Sequence, residues 1–363
     1  MQSAEEIKYW LALKMVGGLS NGEVRTLLET LPTPRSVFET PKKALQSILK
    51  GNEKAIEEMV TFHRWEEAEK EAQMLSHQGA KIVTYRDPDF PALLKNIHDY
   101  PIFLYVKGHL DAFDVNVAIV GSRRASSYGI INAENLARGL ALAGATIVSG
   151  MARGIDAAAH RGALSVQGRT IAVLGSGLDV IYPPEHRDLY DSIAEHGAVV
   201  TEYPFGTPPR SQNFPYRNRL ISGMSWGVIV VEASEKSGSL ITAKLAAEQG
   251  RAVFAVPGEI HSPLSRGTHR LLKEGATLIE DVSDVLEEIR PQVKAQPPAP
   301  PPSEKPSDLE SRLYELIGPK PIHGDALIEK TGFTAGEVMG VLLTLELKGL
   351  IQQLPGQYYR RIK

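Results

Sequence analysis

The residues best suited to chemistry lie in one short stretch, Phe214-Pro-Tyr-Arg-Asn-Arg-Leu-Ile-Ser-Gly-Met224. Arg217, Asn218 and Arg219 follow one another directly after an aromatic residue and a proline. Proline disfavours helix in the residue before it and is compatible with a helix that begins just after it. We therefore expect these three residues in the first turn of a helix, where free backbone N–H groups attract anions and arginine forks bind phosphate. The alternative for an isolated Arg-x-Arg pair is ion pairing with nearby carboxylates.

Other loops offer similar side chains, and each follows an apolar run. Val120-Gly-Ser-Arg-Arg-Ala-Ser-Ser-Tyr-Gly129 supplies hydroxyls and two adjacent arginines, and Arg153 and Arg187 follow the next two runs. Ser237-Gly-Ser239 begins a helix and is a further N-terminus suited to an anion. The residues predicted to contact a ligand are Ser122, Arg123, Arg124, Arg153, Arg187, Phe214, Arg217, Asn218, Arg219, Gly238 and Ser239.

The same loops offer little for catalysis. Asp156 and His160 stand four residues apart on one helical face, which is compatible with a metal pair or with a buried pair at a helix start. We find no matched general acid and base, no credible catalytic triad and no metal cluster, and we predict neither catalytic residues nor a cofactor. This profile favours a binding site for a phosphodiester backbone, with free bases stacking on Phe214, Tyr216 or Tyr182.

Composition sets further limits on the class of protein. The chain has 363 residues, no cysteine and a formal net charge of −3, so that any nucleic-acid binding must come from a local basic patch. The absence of cysteine excludes disulfides and thiol nucleophiles and suits a reducing cytoplasm. The sequence has neither an apolar run of about 18 residues, as a membrane span requires, nor a basic N-terminal signal region. We therefore expect a cytoplasmic protein.

The elements that position these loops are alternating strands and helices. Apolar, β-branched runs such as Val117–Val120 and Val228–Val231 alternate with helical stretches such as Ile130–Ala143. This pattern predicts an α/β domain with an extended Rossmann-like parallel sheet covered on both faces, in which ligands bind at the carboxyl ends of the strands.

Changes in this sequence pattern divide the chain into five segments. Residues 1–75 are predicted to form a small helical domain similar to sterile-alpha-motif or helix-hairpin-helix modules, and 76–114 a connector packing on the next domain. Residues 115–290 form the Rossmann-like domain and 291–307 a proline-rich linker. Residues 308–363 have three helices and a hairpin, which predicts a winged-helix-like domain. Its third helix is poor in basic residues, and this favours a protein-contact or regulatory role over DNA binding.

The central motifs resemble those of the DNA-processing protein A family in order and spacing. The matching pieces are Val120-Gly-Ser-Arg123, Ser149–His160, Leu174–Asp179 with Tyr182-Pro183, Thr201–Pro204, Phe214–Ile221, Val231–Ala233, Ser237–Ala243, Val256–Gly258 and Gly267–His269. The resemblance implies a single-stranded DNA-binding protein that dimerises through its central domain and is not an enzyme. It also implies loading of the recombinase RecA onto DNA during natural transformation (competence) and DNA recombination, after displacement of single-strand-binding protein.

Two other hypotheses remain open on the sequence alone. The sheet pattern is also similar to that of nucleotide phosphoribohydrolases, whose Pro-Gly-Gly-x-Gly-Thr-x-x-Glu signature is here replaced by Ser237-Gly-Ser-Leu-Ile-Thr242. The third hypothesis is a scaffold that binds acidic proteins through the basic residues of these loops. The DNA-binding hypothesis predicts that charge reversal at Arg123 or Arg217 abolishes binding and leaves the fold intact.

Overall fold

The structure is a computed structural model that describes residues 4–294, 308–318, 320–347 and 350–362. Residues 4–77 are helical. Ser20 and Thr33 each accept a hydrogen bond from the backbone N–H three residues later, which fixes the starts of two helices. The helices of this region are α1 (Ala4–Met15), α2 (Asn21–Thr30), α3 (Pro34–Glu39), α4 (Lys42–Ile48), α5 (Glu53–Val60) and α6 (Trp65–His77).

The N-terminal helices share their core with the sheet that follows. Leu11, Leu27 and Ile56 are fully buried. They belong to the same apolar cluster as Phe103 and Tyr105 of the second strand. Because burial of apolar surface is the main driving force for packing, the helical region is held directly against the central sheet.

The central sheet has nine strands within the described residues, in the order β1-β2-β6-β5-β4-β3-β7-β8-β9. Neighbours from β6 to β9 are parallel, and β2 pairs antiparallel with both β1 and β6. The strands are β1 (Ala80–Thr84), β2 (Phe103–Gly108), β3 (Asn116–Val120), β4 (Thr146–Ser149), β5 (Thr170–Val173), β6 (Ala198–Thr201), β7 (Gly227–Val230), β8 (Ala252–Ala255) and β9 (Thr277–Leu278).

The two faces of the sheet bury alternate residues of each strand, as the two-residue period of a strand requires. Ile119 and Ile229 pack on one helical layer, whereas Ala118 and Val228 pack on the other. The helices that cover the sheet are α7 (Ser127–Leu142), α8 (Ile155–Leu164), α9 (Arg187–His196), α10 (Asn213–Gly223), α11 (Ser239–Glu248), α12 (Arg266–Lys273) and α13 (Val282–Lys294). The predicted α/β fold class is confirmed.

The segment that the sequence predicts as a connector, 76–114, contributes both antiparallel strands to this sheet. β1 pairs with β2 from Ala80 opposite Lys107 to Thr84 opposite Phe103. β2 then pairs with the edge of the parallel part through Tyr105 and Thr201. The prediction of a connector misses β2, because Pro101 and the preceding proline-rich run obscure the short strand.

The C-terminal region combines three helices with a small antiparallel sheet, which is the arrangement of a winged helix. Leu313, Leu342 and Tyr359 are fully buried in its core. The elements are α14 (Asp308–Leu316), β10 (Ile322–His323), α15 (Gly324–Thr331), α16 (Ala335–Leu347), β11 (Ile351–Leu354) and β12 (Tyr358–Arg361). Within the described residues, none of the helices combines the length and the hydropathy of a membrane span.

The third helix of the winged helix, α16, packs on the end of α7. A Cβ atom placed on Gly340 would lie 2.3 Å from Cα of Ala143, so that only glycine permits this approach. The Thr344 hydroxyl donates to the Ala143 carbonyl at 3.4 Å, and Arg290 of α13 lies 3.8 Å from Glu346. In DNA-binding winged helices the corresponding helix enters the groove, whereas here one of its faces contacts the central sheet's helical layer.

Candidate functional site

A cleft of about 690 Å³ opens where the strand order of the sheet reverses. From β3 the chain adds β4, β5 and β6 on one side and then crosses to β7, β8 and β9 on the other. The loops after β3 and β7 therefore diverge, and they leave a crevice at the carboxyl ends of the strands. Predicted site residues that line it are Ser122, Arg123, Arg124, Phe214, Arg217, Asn218, Gly238 and Ser239.

Phe214 lines the cleft and has both aromatic and cationic neighbours. The Arg123 guanidinium carbon is 5.1 Å from the ring centroid of Phe214, and the Tyr182 ring centroid is 5.7 Å away at an interplanar angle of 39°. A Cβ on Gly175 would come within 2.9 Å of Cδ1 of Phe214, so that glycine makes room for the ring. Adjacent aromatic rings beside free guanidinium groups can stack bases and bind phosphates together.

Arg217 forms part of the floor of the cleft and is only 4% exposed. Its Nη1 donates to the carbonyl oxygen of Gly150 at 3.0 Å and also to that of Val173. Burial lowers the pKa of Arg217 to about 10, and the nearby Asp156 carboxylate opposes that decrease. Arg217 therefore holds the ends of β4 and β5 together and adds positive charge beneath the cleft.

The carboxylate and imidazole of the Ser149–His160 motif have separate structural partners. Asp156 accepts from the backbone N–H groups of Gly150 at 3.2 Å and Ala152 at 3.4 Å. Burial raises the pKa of Asp156, and Arg217 opposes that rise. His160 contacts the Thr170 hydroxyl at 2.7 Å, and burial lowers its pKa to about 3, so that the ring is neutral at physiological pH. These partners favour the buried helix-start interpretation over the metal pair.

The opposite wall of the cleft is the start of α11. Asn218 donates from Nδ2 to the Gly238 carbonyl at 3.4 Å and so links α10 to this wall. The Ser239 hydroxyl lies 2.8 Å from that of Ser237. A Cβ on Gly238 would meet no atom within 4 Å, so that this wall is open to a ligand. A helix N-terminus with serine hydroxyls complements an anionic group.

The loop after β3 forms the third wall. The backbone N–H of Arg124 donates to the Ser122 hydroxyl at 3.1 Å, which turns the loop back on itself. Ser122 is buried, whereas the guanidinium groups of Arg123 and Arg124 extend into solvent. Exposed arginines can adjust to the backbone of a flexible ligand because they are not held by the protein core.

Three predicted contact residues lie outside the cleft lining. Arg153 is exposed and pairs with Glu185 at 2.5 Å. Arg187 is exposed at the first position of α9. Arg219 is 8% exposed and donates to the Glu202 carboxylate at 2.8 Å, with its guanidinium over the ring of Tyr216. Residues two apart differ by about 200° around a helix, and so Arg217 and Arg219 face opposite sides of α10.

The predicted start of this helix is wrong. α10 begins at Asn213, two residues before Pro215, so that Arg217 and Arg219 lie in the middle of the helix rather than in its first turn. Pro215 is tolerated because the first N–H groups of a helix have no intrahelical partner to lose. The helix N-terminus that lines the cleft is therefore that of α11, and α10 contributes side chains.

The cleft is also lined by residues that the sequence did not indicate as ligand contacts. Ser211 precedes α10, and Ser234 and Leu264 come from the loops after β7 and β8. The Leu264 carbonyl accepts from the Ala233 N–H at 2.7 Å and closes the end of the cleft. Their position after predicted strands is a signal, since loops at one sheet edge meet, but their side chains carry no distinctive chemistry.

The fold and the cleft define an α/β protein of Rossmann-like architecture with an arginine-lined, aromatic cleft at the sheet's switch point and a winged helix at its C-terminus. The family model described as DNA recombination-mediator protein A matches residues 81–290, and that described as the DprA winged helix domain matches residues 297–357. The chain belongs to the DNA recombination-mediator protein A family.

Several relatives support this assignment. Protein Smf of Escherichia coli (strain K12) is 44% identical over 279 residues, which are 75% of each chain. The X-ray structure of DNA processing protein A from Streptococcus pneumoniae aligns with a TM-score of 0.68 at 40% identity and covers 77% of this chain and 97% of that one. DNA processing protein A from Helicobacter pylori, solved for its single-stranded DNA binding mode, aligns with a TM-score of 0.53 at 32% identity and covers 58% and 97%.

Proposed function

We propose that this protein binds single-stranded DNA in the cleft between the loops after β3 and β7. The observation that carries the proposal is the contact of Phe214 with Arg123 and Tyr182, which places stacking and phosphate-binding groups side by side. The relative from Helicobacter pylori that binds single-stranded DNA has the same fold. Arg123, Arg124 and the start of α11 would contact phosphates, and Phe214 and Tyr182 would stack bases.

The cleft favours a single strand over a duplex. The aromatic rings lie within it, where only an unpaired base can reach their faces. Arg153 and Arg187, which lie beyond the cleft lining, would extend the basic surface to neighbouring nucleotides, and Arg217 and Asn218 would act from the floor. Arg219 would act indirectly, because it is buried against Glu202.

We also propose that the protein is not an enzyme. Of the residues that line the cleft, Asp156 is the one carboxylate in the described structure, and it accepts backbone N–H groups. General acid–base catalysis requires a titratable group within reach of the reacting atoms. A phosphoribohydrolase activity would appear as release of free base from a nucleotide monophosphate, and we expect none above a boiled control.

The proposal is tested by fluorescence anisotropy of a labelled oligothymidine, titrated with the protein at several salt concentrations and compared with a duplex of equal length. We expect preference for the single strand and an affinity that falls as salt rises, with a log–log slope of about −0.7 per phosphate contacted. Equal affinity for the duplex, or binding insensitive to salt, would contradict phosphate contact in an aromatic cleft.

As a finer step, we propose that the protein loads RecA onto single-stranded DNA covered by single-strand-binding protein, as a homodimer formed through the central domain. The free edge of the sheet supports a dimer there: β9 has Leu278 48% exposed, beside the basic helix α12. Exposed apolar residues on an edge strand are a common basis for association. In natural transformation and recombination such a loader would act on incoming strands.

RecA loading is measured by RecA ATP hydrolysis on DNA precoated with single-strand-binding protein. We expect the lag before hydrolysis to shorten in proportion to added protein, and Leu278→Asp to abolish this effect together with the dimer in sedimentation velocity. A monomeric wild-type protein, or an unchanged lag, would contradict RecA loading by a homodimer. Neither result would contradict the proposal that the cleft binds single-stranded DNA.

A further inference from the structure

Asp99 joins the N-terminal helices to the back of helix α10. Its Oδ1 accepts from Asn21 Nδ2 of α2 at 2.9 Å. Its Oδ2 accepts from the Tyr216 hydroxyl at 2.9 Å and lies 3.7 Å from Arg219 Nη2. One carboxylate therefore bridges two elements that are far apart in the sequence.

The segment that carries Asp99 is itself held by α2. Arg25 donates to the carbonyl oxygens of Tyr100 at 2.7 Å and His98 at 3.2 Å. Its guanidinium carbon also lies 3.8 Å from the ring centroid of Tyr100. Two main-chain bonds and a stacked ring fix the position of Asp99 relative to α2, since a planar guanidinium bonds in a defined direction.

The two faces of α10 have different contacts: one faces Asp99 and the other lines the cleft. Tyr216 donates to Asp99, and Arg219 forms an ion pair with Asp99 and donates to the Tyr216 hydroxyl at 3.0 Å. Phe214 and Arg217 line the cleft. Because these side chains project from one rigid helix, a rotation of α10 about its axis would move the stacking ring and the buried arginine together. The contacts on the back of α10 therefore determine the geometry at the front.

We infer that Asp99 is a positioning residue through which the N-terminal helices orient α10, and thereby set the affinity of the cleft for single-stranded DNA. This inference rests on the proposed function. It assigns the N-terminal region a role in binding without a direct DNA contact. Asn21 and Arg25 provide the links to α2, and Tyr216 and Arg219 provide the link to α10.

The first test compares Asp99→Ala with wild type in oligothymidine binding. We expect binding roughly five- to tenfold weaker, since hydrogen bonds to charged groups are the stronger ones. Asp89→Ala is the matched control, because Asp89 lies in the same segment and pairs with Lys81 at 3.4 Å. We expect this control to bind as wild type does.

A double-mutant cycle separates positioning from general destabilisation. Asp99→Ala is combined with Phe214→Ala on α10 and, separately, with Arg124→Ala on the loop after β3. If Asp99 acts through α10, its effect shrinks to less than about twofold in the Phe214→Ala background and persists with Arg124→Ala. A loss of fold stability alone would be additive with both.

Each outcome bears on the inference. Equal affinity of wild type and Asp99→Ala overturns it, as does full additivity with Phe214→Ala. Failure of the wild type to bind overturns the proposed function instead. If Asp99→Ala does not fold, the double variant Asn21→Ala/Arg25→Ala removes the described side-chain links from α2 to Asp99 and its segment, and unchanged affinity of that variant overturns the inference. Asp99→Asn keeps an acceptor for the Tyr216 hydroxyl and is expected to restore most of the binding.

Discussion

Reversing the charge of Arg123 is expected to weaken single-stranded DNA binding by about 100-fold or more and to leave the fold unchanged. Arg123 is exposed on the loop after β3 and contacts the ring of Phe214, which also lines the cleft. If the cleft binds DNA as proposed, a glutamate there would remove a phosphate contact and place a like charge beside the DNA backbone. Such juxtaposed like charges cost several kcal/mol, and about 2.7 kcal/mol corresponds to the 100-fold loss.

The measurement is the oligothymidine affinity of Arg123→Glu at one fixed salt concentration, with circular dichroism and thermal midpoint as checks on folding. Arg138→Glu is the matched control, since Arg138 is also exposed but lies near the other end of α7. Both variants change the net charge equally, so that a difference reports position and not total charge. Similar losses in both would indicate a diffuse electrostatic attraction instead of a defined cleft.

Charge reversal at Arg217 would not report a DNA contact, because this residue also stabilises the fold. The sequence predicts that charge reversal at either arginine leaves the fold intact, whereas the burial of Arg217 leads us to expect that Arg217→Glu destabilises the fold. Arg217 is 4% exposed and bonded to the Gly150 and Val173 carbonyls. A glutamate would face these acceptors in a buried site near Asp156, and buried unpaired charges are strongly destabilising. Loss of binding by Arg217→Glu would therefore not locate the DNA.

The sequence predicts the strands well for a physical reason. Runs such as Val117–Val120 are buried on both faces, so that their composition is wholly apolar. Their ends in turn predict the cleft, because parallel strands bring their carboxyl ends to one edge. The crossing between β3 and β7, which opens the crevice, depends on strand order and has no local signature.

The partners of buried charges are harder to predict. Arg217 and Arg219 look alike in the sequence, yet one bonds to main-chain carbonyls and the other to Glu202, which ends up beside it only after β6 is placed. Asp99 reaches α10 from more than 100 positions away. Glu202 directly after a buried strand was the available signal, since a carboxylate at such a position needs a partner.

The second prediction with a large expected effect concerns the buried ion pair between Glu202 and Arg219. Glu202→Leu is expected to lower the free energy of unfolding by about 3–5 kcal/mol, the range for breaking a buried ion pair. Glu202 is 4% exposed, and its removal leaves the Arg219 guanidinium buried, with Asp99 at 3.7 Å as the remaining carboxylate within ion-pair distance in the described structure. The measurement is chemical denaturation followed by Trp fluorescence.

Two comparisons make this prediction specific. Glu185→Gln breaks the exposed pair with Arg153, whose separation of 2.5 Å is even shorter, and we expect no measurable change. The double variant Glu202→Leu/Arg219→Met replaces both charges by apolar groups and is expected to recover most of the lost stability. If Glu202→Leu alone is as stable as wild type, the guanidinium is not held away from water as its 8% exposure implies.

The same double variant decides the role of Arg219 in DNA binding. If Arg219 contacted phosphate directly, its replacement by methionine would lower the affinity and reduce the salt slope by about 0.7. If Arg219 instead acts from the face of α10 away from the cleft, the folded double variant keeps the salt slope, because Arg123 and Arg124 would still contact phosphates. We expect the slope to be unchanged, since Arg219 and Phe214 face opposite sides of the helix and only Phe214 lines the cleft.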